Sequence, residues 1–260
     1  MRAGANAAAP RLFTVLITRP DADAGPLAAA LAASGIAVVR EPLLLIDFLP
    51  GPPLVLAGVQ AILATSANGV RALGLRTDCR MLPLFAVGDA TAREARGLGF
   101  AAVESASGDV AALAKLVCAR LDPAHGALLH AAGTALAGDL AAGLTAAGFA
   151  CRREVLYRAR TAETLSPAAV AALRGGALAG VLLYSPRTAA TFVRLVMAAG
   201  LATHCGRLHA FCLSAAVAAA VSDVTWKAVV TAAVPTESAL IAAVVRTAAE
   251  VSGTGPKMRS

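Results

Sequence analysis

The chain has 260 residues, enough for one large domain or two of ordinary size with a sound core. Its hydrophobic content of 58% and mean hydropathy of +0.70 look membrane-like, but much of that score is alanine, which buries little apolar area. No run reaches the roughly 18 strongly apolar residues of a spanning helix. The net charge of +7 favours polyanionic partners; a small molecule with many carboxylates suits it as well as nucleic acid, and the dispersed basic residues and scarce aromatics argue against nucleic acid.

The start, MRAGANAAAPRLFTVLITRP, carries an early Arg and small residues, and its bulky run Leu12 to Ile17 leads into a strand-like motif rather than a cleavage site. It reads as a frayed cytoplasmic N-terminus. Apolar runs then alternate with Ala-rich helical stretches: TVLITRP with LAAALAASG, AVVREPLLLI, VQAILATS with NGVRALGL, LPLFAVG with ATAREARGLG. That alternation predicts βα units and a parallel sheet. Gly35, Gly99 and Gly148 stand where helix C-caps are expected.

The second half repeats the first in order. Residues 15–46 resemble 128–159, AILATSANGV resembles VLLYSPRTAA, LFAVGDATARE resembles AFCLSAAVAAA, and SGDVAALAKLV resembles VPTESALIAAV. The expectation is an α/β fold of two similar doubly wound parallel-sheet domains with helices on both faces. Such sheets bind ligands beyond the carboxyl ends of their strands, so two lobes can form a cleft; a duplicated scaffold without a shared ligand is the alternative.

The strand ends carry the candidate chemistry. Ser66 and Ser185 are placed as N-caps, with Pro186 at the first helical position of the second. Val87-Gly88-Asp89-Ala90-Thr91 is a third junction, where Gly88 allows close backbone approach and Thr91 offers a hydroxyl. Ser107-Gly108-Asp109 and Pro235-Thr236-Glu237-Ser238 follow the same pattern. Arg19, just past LIT and Thr18, is a candidate carboxylate receptor. Tyr157 stands out in REVLYRAR among Arg152, Arg153, Arg158 and Arg160, either as a half-buried strand tyrosine or as a functional group.

GxGxxG is absent after any strand, and GTALAGDL, which begins at Gly133, has P-loop glycine spacing but Asp139 in place of lysine. Phosphate-bearing cofactors are therefore not expected. The five cysteines are scattered and never spaced as CxxC, which favours free thiols in a reducing cytoplasm. His125 with His130, and His204 with His209, are spaced unlike metal ligands, so no metal is expected.

In this order the segments VLITRP, LAAALAASG, PLLLI, ILATSANGVRAL, FAVGDATA, SGDVAAL, LLHAAGTALAGDLAAGLTAAG, EVLYRA, LLYSPRTAATF, FCLSAAVAAA and AAVPTESAL resemble the uroporphyrinogen-III synthases. The resemblance implies two α/β domains joined by a two-stranded antiparallel ladder, with residues 1–39 and 162–260 in one, 49–150 in the other, and 40–48 and 151–161 as linkers. It implies a cleft for the linear tetrapyrrole hydroxymethylbilane, no cofactor, no membrane partner, and a flexible cytoplasmic monomer; transient contact with hydroxymethylbilane synthase is an open expectation.

The implied reaction loses the terminal hydroxyl as water, and the resulting azafulvene closes the ring with ring D inverted. Positioning dominates such a task. By the same resemblance Tyr157 assists hydroxyl departure, and Thr65, Ser66, Thr91 and Ser185 line the cleft, Thr65 and Ser66 as carboxylate-facing caps. The candidate substrate-binding set is Thr18, Arg19, Thr65, Ser66, Ala67, Asn68, Gly88, Thr91, Gly133, Ser185, Pro186 and Ser214. Ser214 and Val217 stand where family members often have glycine and then threonine, so backbone N–H groups after Ser214 would supply that contact. A non-catalytic two-lobed binding module on the same scaffold is the reading from another class.

Overall fold

The computed structural model describes residues 12–135 and 138–253; most of the segment read as a frayed N-terminus, and part of GTALAGDL, lie outside these. Strand β1 (Thr14–Ile17) leads into helix α1 (Asp21–Ala32), followed by β2 (Ala37–Arg40) and β3 (Leu44–Phe48). Then come β4 (Val59–Ala64), α2 (Ala67–Gly74), β5 (Leu84–Ala86), α3 (Asp89–Gly97), β6 (Val103–Ser105) and α4 (Val110–Arg120). After a 3-10 turn follow β7 (Ala127–Gly133), α5 (Leu140–Ala146) and the long β8 (Cys151–Thr161). The last part holds α6 (Pro167–Arg174), β9 (Gly180–Leu183), α7 (Pro186–Ala198), β10 (His209–Cys212), α8 (Ala215–Ala219), β11 (Ala228–Thr231) and α9 (Glu237–Val251).

The chain divides into two compact units. One runs through Leu45 and resumes at Thr161; the other is Ile46–Arg160. The first contains a sheet of order β11-β10-β9-β1-β2, parallel throughout. The second contains the order β6-β5-β4-β7-β8-β3, parallel from β6 to β8. Strand for strand, β11 to β2 of one sheet corresponds to β6 to β8 of the other, which is the repeat seen in the sequence.

Each sheet has a core on both faces, and alternation along single strands shows why. In β4, Ile62 and Ala64 join one cluster while Ala61 and Leu63 join the other. The first cluster also takes Val70 and Leu73 from α2 and Ala92 and Ala95 from α3; the second takes Leu113 and Val117 from α4 with Leu140 and Leu144 from α5. In β9, Val181 and Leu183 face α6, α7 and α8, whereas Leu182 faces α1 and α9. A strand covered on both faces needs apolar residues at every position, hence the continuous apolar runs. Each such large side chain contributes about 1.5–3 kcal/mol on burial.

Helix ends follow the sequence signals. Gly35, Gly99 and Gly148 adopt φ of 72°, 88° and 88°, the left-handed conformation that glycine allows after a helix. β3 and β8 are neighbours in one sheet: Ala162 N–H donates to Leu43 C=O and Leu49 N–H to Leu156 C=O, so the partners run in opposite directions. β8 is also paired in parallel with β7, which makes this ladder the edge of the larger sheet rather than a free-standing connection.

Candidate active site

At the carboxyl end of β4 the chain turns into α2 through Thr65 and Ser66. Ser66 is the N-cap, and its Oγ accepts the Gly69 N–H at 3.1 Å. Gly69 is needed there because a Cβ would lie 2.6 Å from the Ala131 carbonyl oxygen of β7. This close approach sets the start of α2 against the end of β7. Ala67 is the first residue of α2, and Asn68 Oδ1 accepts from Arg71, which also pairs with Glu94 at 2.7 Å.

The neighbouring strand end supplies Gly133, which is in register with Tyr157 of β8. A Cβ at Gly133 would sit 2.7 Å from Tyr157 Cζ, so the absent side chain is the seat of the phenol ring. Thr134 N–H donates to the Tyr157 carbonyl, and the Arg153 guanidinium donates to the Gly133 and Thr134 carbonyls. The Tyr157 hydroxyl thus lies 2.7 Å from Ser66 Oγ. The sequence suggested both residues separately; the fold brings them together with Gly133.

Thr65 Oγ1 lies 3.3 Å from Nε2 of His130, a buried residue of β7. Burial, and then the Arg153 guanidinium, pulls the His130 pKa down to about 4, so the imidazole is neutral near pH 7. In the sequence His130 stands out only as a histidine whose spacing does not suit a metal. The available signal was its being the one ionisable residue in ALLHAAG. Thr65 also lines a groove of about 340 Å³ with Val87, Asp109, Val110, Ala111 and Gly138. Gly88, the N-cap of α3, has φ −158°, which any residue adopts, and a Cβ there would meet nothing within 4 Å. Neither its backbone conformation nor the packing calls for glycine.

In the other unit Ser185 caps α7 through a full capping box: its Oγ accepts the Thr188 N–H while Thr188 Oγ1 accepts the Ser185 N–H, both at 3.2 Å, with Pro186 at the first position. Ser214 caps α8 without a side-chain hydrogen bond, and Val217 is buried in the core. The Tyr184 hydroxyl, just past β9, is buried beside Arg19, and burial raises its pKa.

Thr18, Thr91 and Arg19 are each engaged within their own unit. Thr18 is fully buried and its hydroxyl donates to the Leu182 carbonyl, because it continues β1 beside β9; that proton is already committed. Thr91 falls on the inner side of α3 and is 5% exposed. Arg19 pairs with Glu237 and, at 3.6 Å, with Asp23, and stacks over the Tyr184 ring. Its charge already has two carboxylate partners. Among the described residues no three His, Cys, Asp or Glu side chains group as a metal site would require, and no helix is long and apolar enough to cross a membrane.

Doubly wound units whose strands end in capped helices and hydroxyls define an α/β protein of the class that binds ligands at the carboxyl edges of its sheets. The model of the family uroporphyrinogen-III synthase HemD matches residues 25–242, and the chain belongs to that family. It is an enzyme, a hydro-lyase of tetrapyrrole biosynthesis. A uroporphyrinogen-III synthetase structure from Helicobacter pylori shares its fold, with TM-score 0.55 and 13% identity over 89% of this chain and 97% of that one. A mutant uroporphyrinogen III synthase from Thermus thermophilus gives TM-score 0.46 and 17% identity over 92% of this chain and 99% of that one. Among curated proteins no significant sequence match is found.

Proposed function

We propose that this chain cyclises hydroxymethylbilane to uroporphyrinogen III with inversion of ring D, as a cytoplasmic monomer, and that Tyr157 is its acid. The carrying observation is the Tyr157 hydroxyl, from within β8, held 2.7 Å from Ser66 Oγ beside the carboxyl ends of β4 and β7. The phenol donates its proton to the terminal hydroxyl of the bilane as the C–O bond breaks and water leaves. Ser66, whose oxygen already accepts the Gly69 N–H, donates its own proton to the phenol oxygen as negative charge builds there. The proton returns from the pyrrole system when the ring closes, so the phenol is regenerated.

Recognition falls to the strand ends. The first-turn N–H groups of α2, after Ser66, and of α7, after Ser185, lie at the positive end of a helix dipole, which suits carboxylate arms. Within the unit Ile46–Arg160, Thr65, Ala67, Asn68, Gly88 and Gly133 complete the binding residues; within the other unit Pro186 and Ser214 do so, with Arg19 where a substrate carboxylate displaces Glu237. The segments 40–48 and 151–161 connect the units.

Freshly generated hydroxymethylbilane, incubated with the protein and analysed as oxidised porphyrin isomers, tests the reading. Isomer III is expected in excess over the spontaneous isomer I; isomer I alone would overturn it.

A further inference from the structure

The groove bounded by Thr65 is the wrong shape of charge for a carboxylate. Three of its lining residues, Val87, Val110 and Ala111, are apolar, and its ionisable lining residue is Asp109, an acid. Asp109 caps α4, one carboxylate oxygen accepting the Ala112 N–H at 2.9 Å, which leaves the second oxygen as an acceptor. A carboxylate arm entering here would meet like charge at Asp109.

The remaining polar group is Thr65, and its direction depends on His130. A hydroxyl has one proton and two lone pairs. With Nε2 protonated, His130 donates to Thr65 and leaves the Thr65 proton pointing away. With Nε2 bare, the imidazole takes that proton, and the lone pairs of Thr65 remain for the groove. His130 is 3% exposed, pairs in register with Leu63 and Arg153, and has Thr65 at 3.3 Å. A buried imidazole in an apolar strand needs that hydrogen bond.

We infer that the groove is a pyrrole subsite: Thr65 and Asp109 accept pyrrole N–H groups of the bilane between apolar walls, and His130 is the positioning residue whose bare Nε2 holds Thr65 as an acceptor. The volume of about 340 Å³ admits a pyrrole ring with its substituents. The inference rests on the proposed function for the identity of the ligand. It gives Thr65 the opposite role from the carboxylate-facing cap expected of it.

Kinetics on hydroxymethylbilane decide it, because the two ligand groups predict opposite signs. Asp109→Asn keeps a capping oxygen and removes the charge. For a pyrrole N–H, KM rises about 10-fold with kcat within about 3-fold, a tenfold change corresponding to about 1.4 kcal/mol; for a carboxylate, KM falls. A fall or no change in KM overturns the inference. His130→Leu is expected to raise KM by a similar factor and His130→Gln, which offers an amide oxygen to Thr65, to restore it to within about 3-fold. In a Thr65→Val background His130→Leu should add nothing. Nitrogen chemical shifts of the His130 ring read the tautomer without turnover: a protonated Nδ1 supports the inference and a protonated Nε2 overturns it. Wild-type formation of isomer III, measured first, separates failure of the subsite from failure of the functional reading.

Discussion

The hydroxyl of Tyr157 and Oγ of Ser66, 91 positions apart in the chain, lie 2.7 Å from one another. One oxygen caps a helix and the other belongs to a strand, so a single hydrogen bond ties the start of α2 to β8. Tyr157→Phe is expected to slow isomer III formation about 10-fold or more while leaving the fold intact, the usual scale for loss of a general acid. Ser66→Ala should lower both activity and stability, the latter by about 1 kcal/mol for the lost cap. Isomer analysis paired with urea melts separates the two effects; equal turnover by Tyr157→Phe and wild type would remove Tyr157 from the chemistry.

Gly133 is the seat of the Tyr157 ring. In Gly133→Ala the new Cβ would begin 2.7 Å from Cζ and 3.0 Å from the hydroxyl oxygen, so the ring must swing away from Ser66. The expected result is a loss of activity comparable to Tyr157→Phe. Near-wild-type turnover would show that the ring is not held where the strand register sets it.

Gly69 offers a test of packing against propensity. Alanine favours an isolated helix over glycine by about 1 kcal/mol, yet at this position its Cβ would press to 2.6 Å on the backbone oxygen of Ala131, which cannot rotate aside. Gly69→Ala is therefore expected to destabilise the protein by about 1–3 kcal/mol, within the range for overpacking. A urea melt showing increased stability would contradict the close approach of α2 to β7.

Acid should weaken the fold through His130. Its pKa falls from 6.5 to about 4 on folding, with burial the main cause. As pH drops below 6.5 the unfolded chain takes up the proton first, so stability is lost progressively down to about pH 4 and no further for this residue. The full loss is on the order of 3 kcal/mol. His209, whose pKa is also lowered by burial and then by Lys227, with Glu250 opposing, acts in the same direction. Melts at about pH 7 and 5 should show a smaller decrease in His130→Leu than in wild type.

The helix caps show how much was legible locally. Ser66, Asp109, Ser185 with Pro186, and Thr236 all cap the helices that follow them, because a cap is a contact between neighbours three residues apart. Tyr157 was recognisable as an unusual strand residue, but not its partner. Thr18 and Thr91 looked as available as Thr65 in the sequence. Their burial depends on which face of the strand or helix meets another element, and nothing within VLITRP or GDATARE records that.

Sequence alone determined the two doubly wound halves, since continuous apolar strands and Ala-rich helices follow from local period and burial on both faces, and the ordered repeat shows that the plan occurs twice. Tertiary structure decided which polar groups meet. Strand order places β7 between β4 and β8, and that adjacency sets His130 against Thr65, seats Tyr157 over Gly133 and directs its hydroxyl to Ser66. It also commits Arg19 to Glu237 and Asp23. Hydrogen bonds and charge pairs act over a few ångströms in space, whatever the separation along the chain, so only the folded arrangement fixes them.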